Sequence, residues 1–157
     1  EVMGRDAGFI ALNSGIGAGA EEILIPEENL GLDRLLDSLE RSRRSGKTSS
    51  IVVVSEGDKI GKNVFELAEY VKENLPDYDA KVTVLGHIQR GGSPSCFDRV
   101  LASRLCVRAV ELLLDGQKNL MVGIVNNRVE ACSLDQALTS KHKINKDLLR
   151  ISDILSI

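Results

Sequence analysis

Short apolar runs alternate with helical patterns along most of this chain, and that alternation constrains the fold more than any other feature. Ile23-Leu24-Ile25 is such a run, ended by Pro26. Leu32, Leu35, Leu36 and Leu39 then fall at i, i+3, i+4 and i+7, which is one face of a helix. That helix should finish near Arg44, with Gly46 just beyond its end. Ile51-Val52-Val53-Val54 is short and β-branched, as a buried parallel strand should be. Asn63 followed by Glu66 is a capping-box-like start, and Val64, Leu67, Ala68, Val71 and Leu75 supply the stripe behind it. Val82, Val84 and Leu85 read as the next strand. Ser93-Pro94 reads as an N-cap with proline at the first helical position. The helix it opens should run to about Leu114, with Gly116 ending it. Leu120–Val125 is a further strand, and Ser133 is placed to cap a short helix through Leu138. The tail is polar at Lys141, His142 and Lys143, then helical from Lys146 to Leu155. Such alternation implies an α/β fold with a largely parallel sheet.

Composition narrows the class. An apolar fraction of 43% suffices for a real core, one covering roughly 70% of the unfolded surface at this size. The charged fraction of 27%, with both signs mixed, excludes a disordered tail. No apolar run approaches the ~20 residues of a spanning helix, so no membrane role is expected. A net charge of -3 and 3% aromatic residues argue against a nucleic-acid reader, which needs a basic face and stacking rings. No basic stretch followed by an apolar one opens the chain, so no secretory signal is visible. Cys96, Cys106 and Cys132 fit no metal or redox spacing. They are expected as free thiols in a reducing cytoplasm, serving as small buried apolar side chains. The chain opens Glu1-Val2-Met3-Gly4-Arg5, without an initiator methionine and already at something like a strand end. It is expected to be a piece of a longer protein.

In open α/β sheets, ligands bind beyond the carboxyl ends of the strands. Met3, Gly4 and Arg5 lie there after the first strand, and Glu56 after the Val52–Val54 strand. Gly86-His87-Ile88-Gln89-Arg90-Gly91-Gly92 follows the Val82–Leu85 run. His87 and Arg90 supply cationic donors, and Gly91 and Gly92 let backbone N–H groups approach a ligand closely. A helix start near Ser93 adds a positive dipole end. Together these form either a phosphate site or a tight strand-to-helix turn with surface charges. Glu56 is either a solvated loop acid or an acceptor for sugar hydroxyls. Arg5 is either a surface ion pair or a neutraliser of phosphate charge.

Two glycine patterns are decoys. Gly46-Lys47-Thr48 ends like a P-loop, but Arg41 stands where the first glycine belongs and a helix precedes it. Gly15-Ile16-Gly17-Ala18-Gly19 follows a helical pattern and precedes a strand, the reverse of a dinucleotide-binding turn. The basic run Arg41, Arg43, Arg44 and Lys47 is either a solvated helix end or a polyanion contact. His142 is incidental.

The segment Lys81–Arg99 (KVTVLGHIQRGGSPSCFDR) resembles the signature of the phosphofructokinases. Val2-Met3-Gly4-Arg5 resembles a second motif of that family, and Glu56 and the run Arg99–Arg104 match in order and spacing. The likeness covers essentially the whole chain and is greatest to the C-terminal half of the bacterial ATP-dependent branch. It implies a three-layer fold and transfer of the ATP γ-phosphoryl group to fructose 6-phosphate in glycolysis, with Mg2+. By position, His87 and Arg90 would bind the 6-phosphate, Met3, Gly4 and Glu56 the sugar, and Arg5 both the sugar phosphate and the transferred group. Lys81 stands where the family has an arginine that reaches a neighbouring subunit's 6-phosphate site. Gly19, Glu21 and Lys47 match an allosteric nucleotide-diphosphate site, with Glu21 near the effector's magnesium. Ser45 stands where that site has a second lysine.

The resemblance also implies two lobes. Residues 1–90 with about 137–157 would form the fructose 6-phosphate lobe, and about 91–136 would complete a nucleotide lobe. The helix and strand of that second segment would then lack partners and need other cover, such as self-association. The glycine-rich ATP loops and the catalytic TIDND motif do not occur in this sequence. The chain by itself is therefore expected to be inactive, to hold ATP and magnesium at most in part, and to need the N-terminal half as partner. The resemblance further implies a homo-oligomer, tetrameric in the family, in the cytoplasm. Two alternatives stand beside it: a pyrophosphate-dependent relative, and a non-catalytic sugar-phosphate-binding or regulatory module.

Overall fold

The computed structural model describes residues 1–28, 31–59, 63–140 and 143–155. Lys141 and His142 lie outside the described residues. The chain divides into two compact units, Glu1–Arg90 with Ile144–Ile157, and Gly91–Lys143.

The first unit is built around parallel strands. Strand β1 (Glu22–Leu24) pairs with β2 (Val52–Val54) in register Glu22↔Val52, Ile23↔Val53, Leu24↔Val54. Val2 extends this sheet by a parallel bridge to Ser55. Side chains alternate across the sheet, as the two-residue period of a strand requires. Leu24 and Val54 face one side, where Leu35, Leu39, Leu67, Val71 and Leu75 close a core. Those residues come from helices α2 (Leu32–Arg44) and α3 (Val64–Asn74). Val2, Ile23 and Ile25 face the other side, against Ala11 and Leu12 of helix α1 (Phe9–Ala18). Leu148 and Leu149 of helix α6 (Lys146–Leu155) pack there too. The three layers expected from the sequence are therefore α2/α3, sheet, and α1/α6.

Helix ends follow local chemistry. Asn63 caps α3 by accepting from the Phe65 and Glu66 N–H groups. Glu66 returns to the Asn63 side-chain amide, not to its backbone. Gly46 follows α2 at φ 89° and Gly19 ends α1 at φ 67°, conformations that glycine adopts without a Cβ penalty. Gly15 and Gly17 are helical, which removes the dinucleotide reading of that stretch.

Three expectations change. Val82–Leu85 does not form a strand. The Glu1 amino group donates to the Thr83 carbonyl at 2.8 Å, and the Leu85 N–H donates to the Glu1 carbonyl at 3.1 Å. One such pair of bonds does not make a ladder. Ile51 is exposed and Val52 and Val53 are half-buried, so β2 is less enclosed than its β-branched run suggests. The long helix α4 (Cys96–Leu114) is capped by Ser95 rather than Ser93. Ser95 and Asp98 satisfy each other's backbone N–H groups, and this reciprocal box outcompetes the Ser93-Pro94 start.

The second unit carries α4, an antiparallel hairpin and helix α5 (Leu134–Thr139), capped by Ser133. Strand β3 (Leu120–Val125) pairs with β4 (Arg128–Ser133). The sequence reading missed β4. Asn126 and Asn127 join the strands at φ 49° and 62°, a two-residue turn of the kind asparagine tolerates. Among the described residues of this unit only Leu112 is buried, while Phe97, Val107, Leu113 and Leu114 are exposed. Cys96 and Cys106 are exposed and Cys132 is half-buried, which corrects the expectation of buried thiols. All three are free. The unit has too little apolar cover to enclose them.

Glu22 is a buried carboxylate, 5% exposed. Burial raises its pKa, while the Arg34 guanidinium, 3.6 Å away, opposes the shift. A raised folded-state value means that charging Glu22 costs stability as pH rises through the window from its ordinary value to the raised one. The cost is present once the pH has risen through that window. Glu22→Gln is therefore expected to raise the thermal midpoint at pH 7, with the two proteins converging below about pH 4. A midpoint lower than wild type at pH 7 would show that the Arg34 pair outweighs burial.

Candidate functional site on the strand rim

The Met3–Arg5 loop, Glu56 and the 3-10 turn Gly86–Arg90 meet beyond the carboxyl ends of the parallel segments. Three contacts fasten them. The Arg5 N–H donates to Glu56 Oε1 at 2.6 Å, and the Gly4 N–H donates to the same oxygen at 3.3 Å. The Met3 N–H donates to Gln89 Oε1 at 2.9 Å. Glu56 thus braces the loop backbone, in addition to any role toward a ligand.

The loop is held in an unusual conformation. Arg5 has φ 50°, in the left-handed region that an arginine seldom adopts. Gly57 makes room for it, since a Cβ there would lie 1.9 Å from the Arg5 carbonyl oxygen. Gly4 is similarly confined, with its Cβ position 2.4 Å from the Ala7 carbonyl oxygen.

Arg5, His87 and Arg90 are exposed, and none has a hydrogen-bond or ion-pair partner for its side chain among the described residues. The basic run differs. Arg43 is paired with Asp77, Arg44 with Glu40 and Lys47 with Glu21. Three of its four cations are already neutralised, which favours a solvated helix end over a polyanion contact. A rim with the unpaired guanidinium groups of Arg5 and Arg90 beside the His87 imidazole is suited to an anionic group. The α4 start and Gly91–Gly92 belong to the second unit, so they are not counted in this rim.

Lys81 is not brought to the rim. It precedes the Val82–Leu85 segment, whose other end carries His87, and it pairs with Asp79 at 3.2 Å on the surface. Glu21 and Lys47 do come together. Lys47 Nζ lies 3.2 Å from Glu21 Oε1, and Glu21 Oε2 accepts from the Ile51 N–H at 2.5 Å. Gly19, two residues before Glu21, ends α1. The buried Glu21 carboxylate therefore spends both oxygens inside the chain. No group of three or more His, Cys, Asp or Glu able to hold a metal occurs among the described residues. Glu21, the acid expected near an effector's magnesium, does not fit that ion while both its oxygens are engaged within the chain. Likewise no described helix is long and apolar enough to cross a membrane.

Gln89 and Gly57 were missed in the sequence. Gln89 reaches its partner across 86 positions, so no local pattern announces it. Gly57 directly follows Glu56, and a glycine beside a rim acid was the available signal.

A three-layer α/β unit with its candidate site at the carboxyl ends of parallel strands is the architecture of a ligand-binding α/β protein. The phosphofructokinase family model matches residues 1–113, and the chain belongs to that family. It is 52% identical to the ATP-dependent 6-phosphofructokinase of Listeria welshimeri, over all of this chain and 48% of that protein. It is 45% identical to the enzyme of the same name from Thermoanaerobacter pseudethanolicus, again over all of this chain and 48% of the other. The chain thus spans about half the length of the curated relatives it matches. Among solved structures, Pichia pastoris phosphofructokinase in the T-state superposes with a TM-score of 0.76 at 30% identity, covering 98% of this chain and 17% of that one. Saccharomyces cerevisiae phosphofructokinase gives 0.74 at 31% identity, covering 98% and 21%.

Proposed function

We propose that this chain is the fructose 6-phosphate-binding half of a glycolytic, cytoplasmic ATP-dependent 6-phosphofructokinase. The observation that carries the reading is the rim itself. Glu56 and Gln89 tie the Met3–Arg5 loop to the turn bearing His87 and Arg90. In this reading His87 and Arg90 hold the 6-phosphate, Met3, Gly4 and Glu56 hold the sugar, and Arg5 lies closest to the charge transferred. Phosphoryl transfer depends mostly on positioning and charge neutralisation, and these residues supply both. ATP and its magnesium belong to the complementary half, which also brings the general base.

The first unit is then the sugar-phosphate lobe, and the second completes the nucleotide lobe. Its exposed apolar residues are in keeping with a surface that the complementary half covers. Lys81 would serve a neighbouring subunit of a homotetramer, in keeping with its distance from the rim. Gly19, Glu21 and Lys47 would mark an effector site. A diphosphate there would have to draw Lys47 away from Glu21.

Calorimetry tests the central claim. Fructose 6-phosphate is expected to bind this chain weakly but saturably, and fructose, which lacks the phosphate, is expected to give no heat. Equal heats for the two sugars, or none for either, would overturn the reading.

A further inference from the structure

We propose that Gln89 is a positioning residue, coupling the phosphate-binding turn to the sugar-binding loop so that the two recognise one ligand together. The inference rests on the fructose 6-phosphate reading above. His87 and Arg90 sit on the turn Gly86–Arg90, while Met3, Gly4 and Arg5 sit on a loop far away in sequence. Gln89, half-buried between its exposed neighbours, accepts from the Met3 N–H at 2.9 Å. Glu56 fixes the far end of the same loop, at Gly4 and Arg5. Loop and turn are thus pinned at successive residues, Met3 to the turn and Arg5 to the strand end.

The alternation of side chains in this turn gives the arrangement its logic. His87 and Arg90 are exposed and without side-chain partners among the described residues, and Gln89 between them points inward to the loop. The turn therefore offers its charges outward and its one amide inward. If this hydrogen bond is lost, His87 and Arg90 remain but the loop is no longer held at a set distance from them. Inorganic phosphate needs only the turn. Fructose 6-phosphate needs turn and loop at once.

The preference for fructose 6-phosphate over inorganic phosphate is the readout. It is measured by calorimetry at constant salt, on wild type, Gln89→Met and Gln89→Glu. Met is close in volume but offers no comparable acceptor, and Glu keeps the acceptor oxygen. Gln89→Met is expected to lower the preference about five- to tenfold, the effect of one hydrogen bond to an otherwise unpaired backbone group. Binding of phosphate alone should change little. Gln89→Glu is expected to restore most of the preference, because its added charge acts on both anions and cancels in the ratio. An unchanged preference in Gln89→Met, or equal loss for both anions, would overturn the coupling. So would failure of Gln89→Glu to recover, since it would point to a direct donor role for the amide nitrogen. Wild type that binds phosphate without preferring the sugar phosphate would instead overturn the fructose 6-phosphate reading, and the coupling with it.

Discussion

Arg90→Ala is expected to weaken fructose 6-phosphate binding about 10- to 100-fold, the worth of charge-assisted hydrogen bonds to a phosphate. Arg90 stands exposed on the rim turn, and no described side chain or carboxylate engages it. Removing it therefore breaks nothing inside the fold, and the loss should fall on the ligand alone. Exposure to water and salt places the effect toward the lower end of that range. Arg41→Ala is the matched control, an exposed cation on α2 away from the rim. Calorimetry at fixed salt would read both. Equal affinities for Arg90→Ala and wild type would sink the assignment of the 6-phosphate to this turn.

Leu24→Ala should have the largest effect on stability, a loss of about 2–5 kcal/mol. Leu24 is 1% exposed and sits at the end of β1, packed with Leu35, Leu39, Val54 and Leu67. Truncation leaves a cavity where sheet, α2 and α3 meet, and these rigid elements relax only partly into it. That loss is a large fraction of a typical stability of about 5–15 kcal/mol. Leu138, 84% exposed on α5, is the comparison. Its replacement by alanine should change stability by no more than about 0.5 kcal/mol. Urea unfolding followed by far-UV dichroism would separate the two. A Leu24→Ala midpoint close to wild type would mean that this core is not where the structure puts it.

The helices were legible because their signals are local. The i, i+3, i+4, i+7 leucines of α2, the Asn63 cap of α3 and Gly116 after α4 act within a turn or two of chain. Strands were less legible because a strand needs a partner. Val82–Leu85 has the composition of one, yet among the described residues its backbone pairs only with Glu1. Strand β4 interleaves polar residues with Val129, Ala131 and Cys132, and its pairing is set by the Asn126-Asn127 turn, a signal passed over. Ser93 and Ser95 compete as caps, and Asp98 decided between them. Of the site residues, Met3, Gly4, Arg5 and Glu56 are at the strand ends where polarity put them, and the turn bearing His87 and Arg90 joins them through the Gln89–Met3 bond although no strand leads into it. Lys81 lies apart from this rim.

By itself the sequence determined the class of fold, the family and the residue types available for an anion, because periodicity, caps and motif spacing are written in consecutive residues. Only the tertiary structure decided which charges remain unneutralised. Lys47 and Arg43 find carboxylates from other elements, whereas Arg5, His87 and Arg90 find none among the described residues. It also assigned Glu56 and Gln89 to brace a left-handed arginine loop across 51 and 86 positions of chain. Such pairings depend on distances through space, which the order of residues does not specify until the sheet has formed.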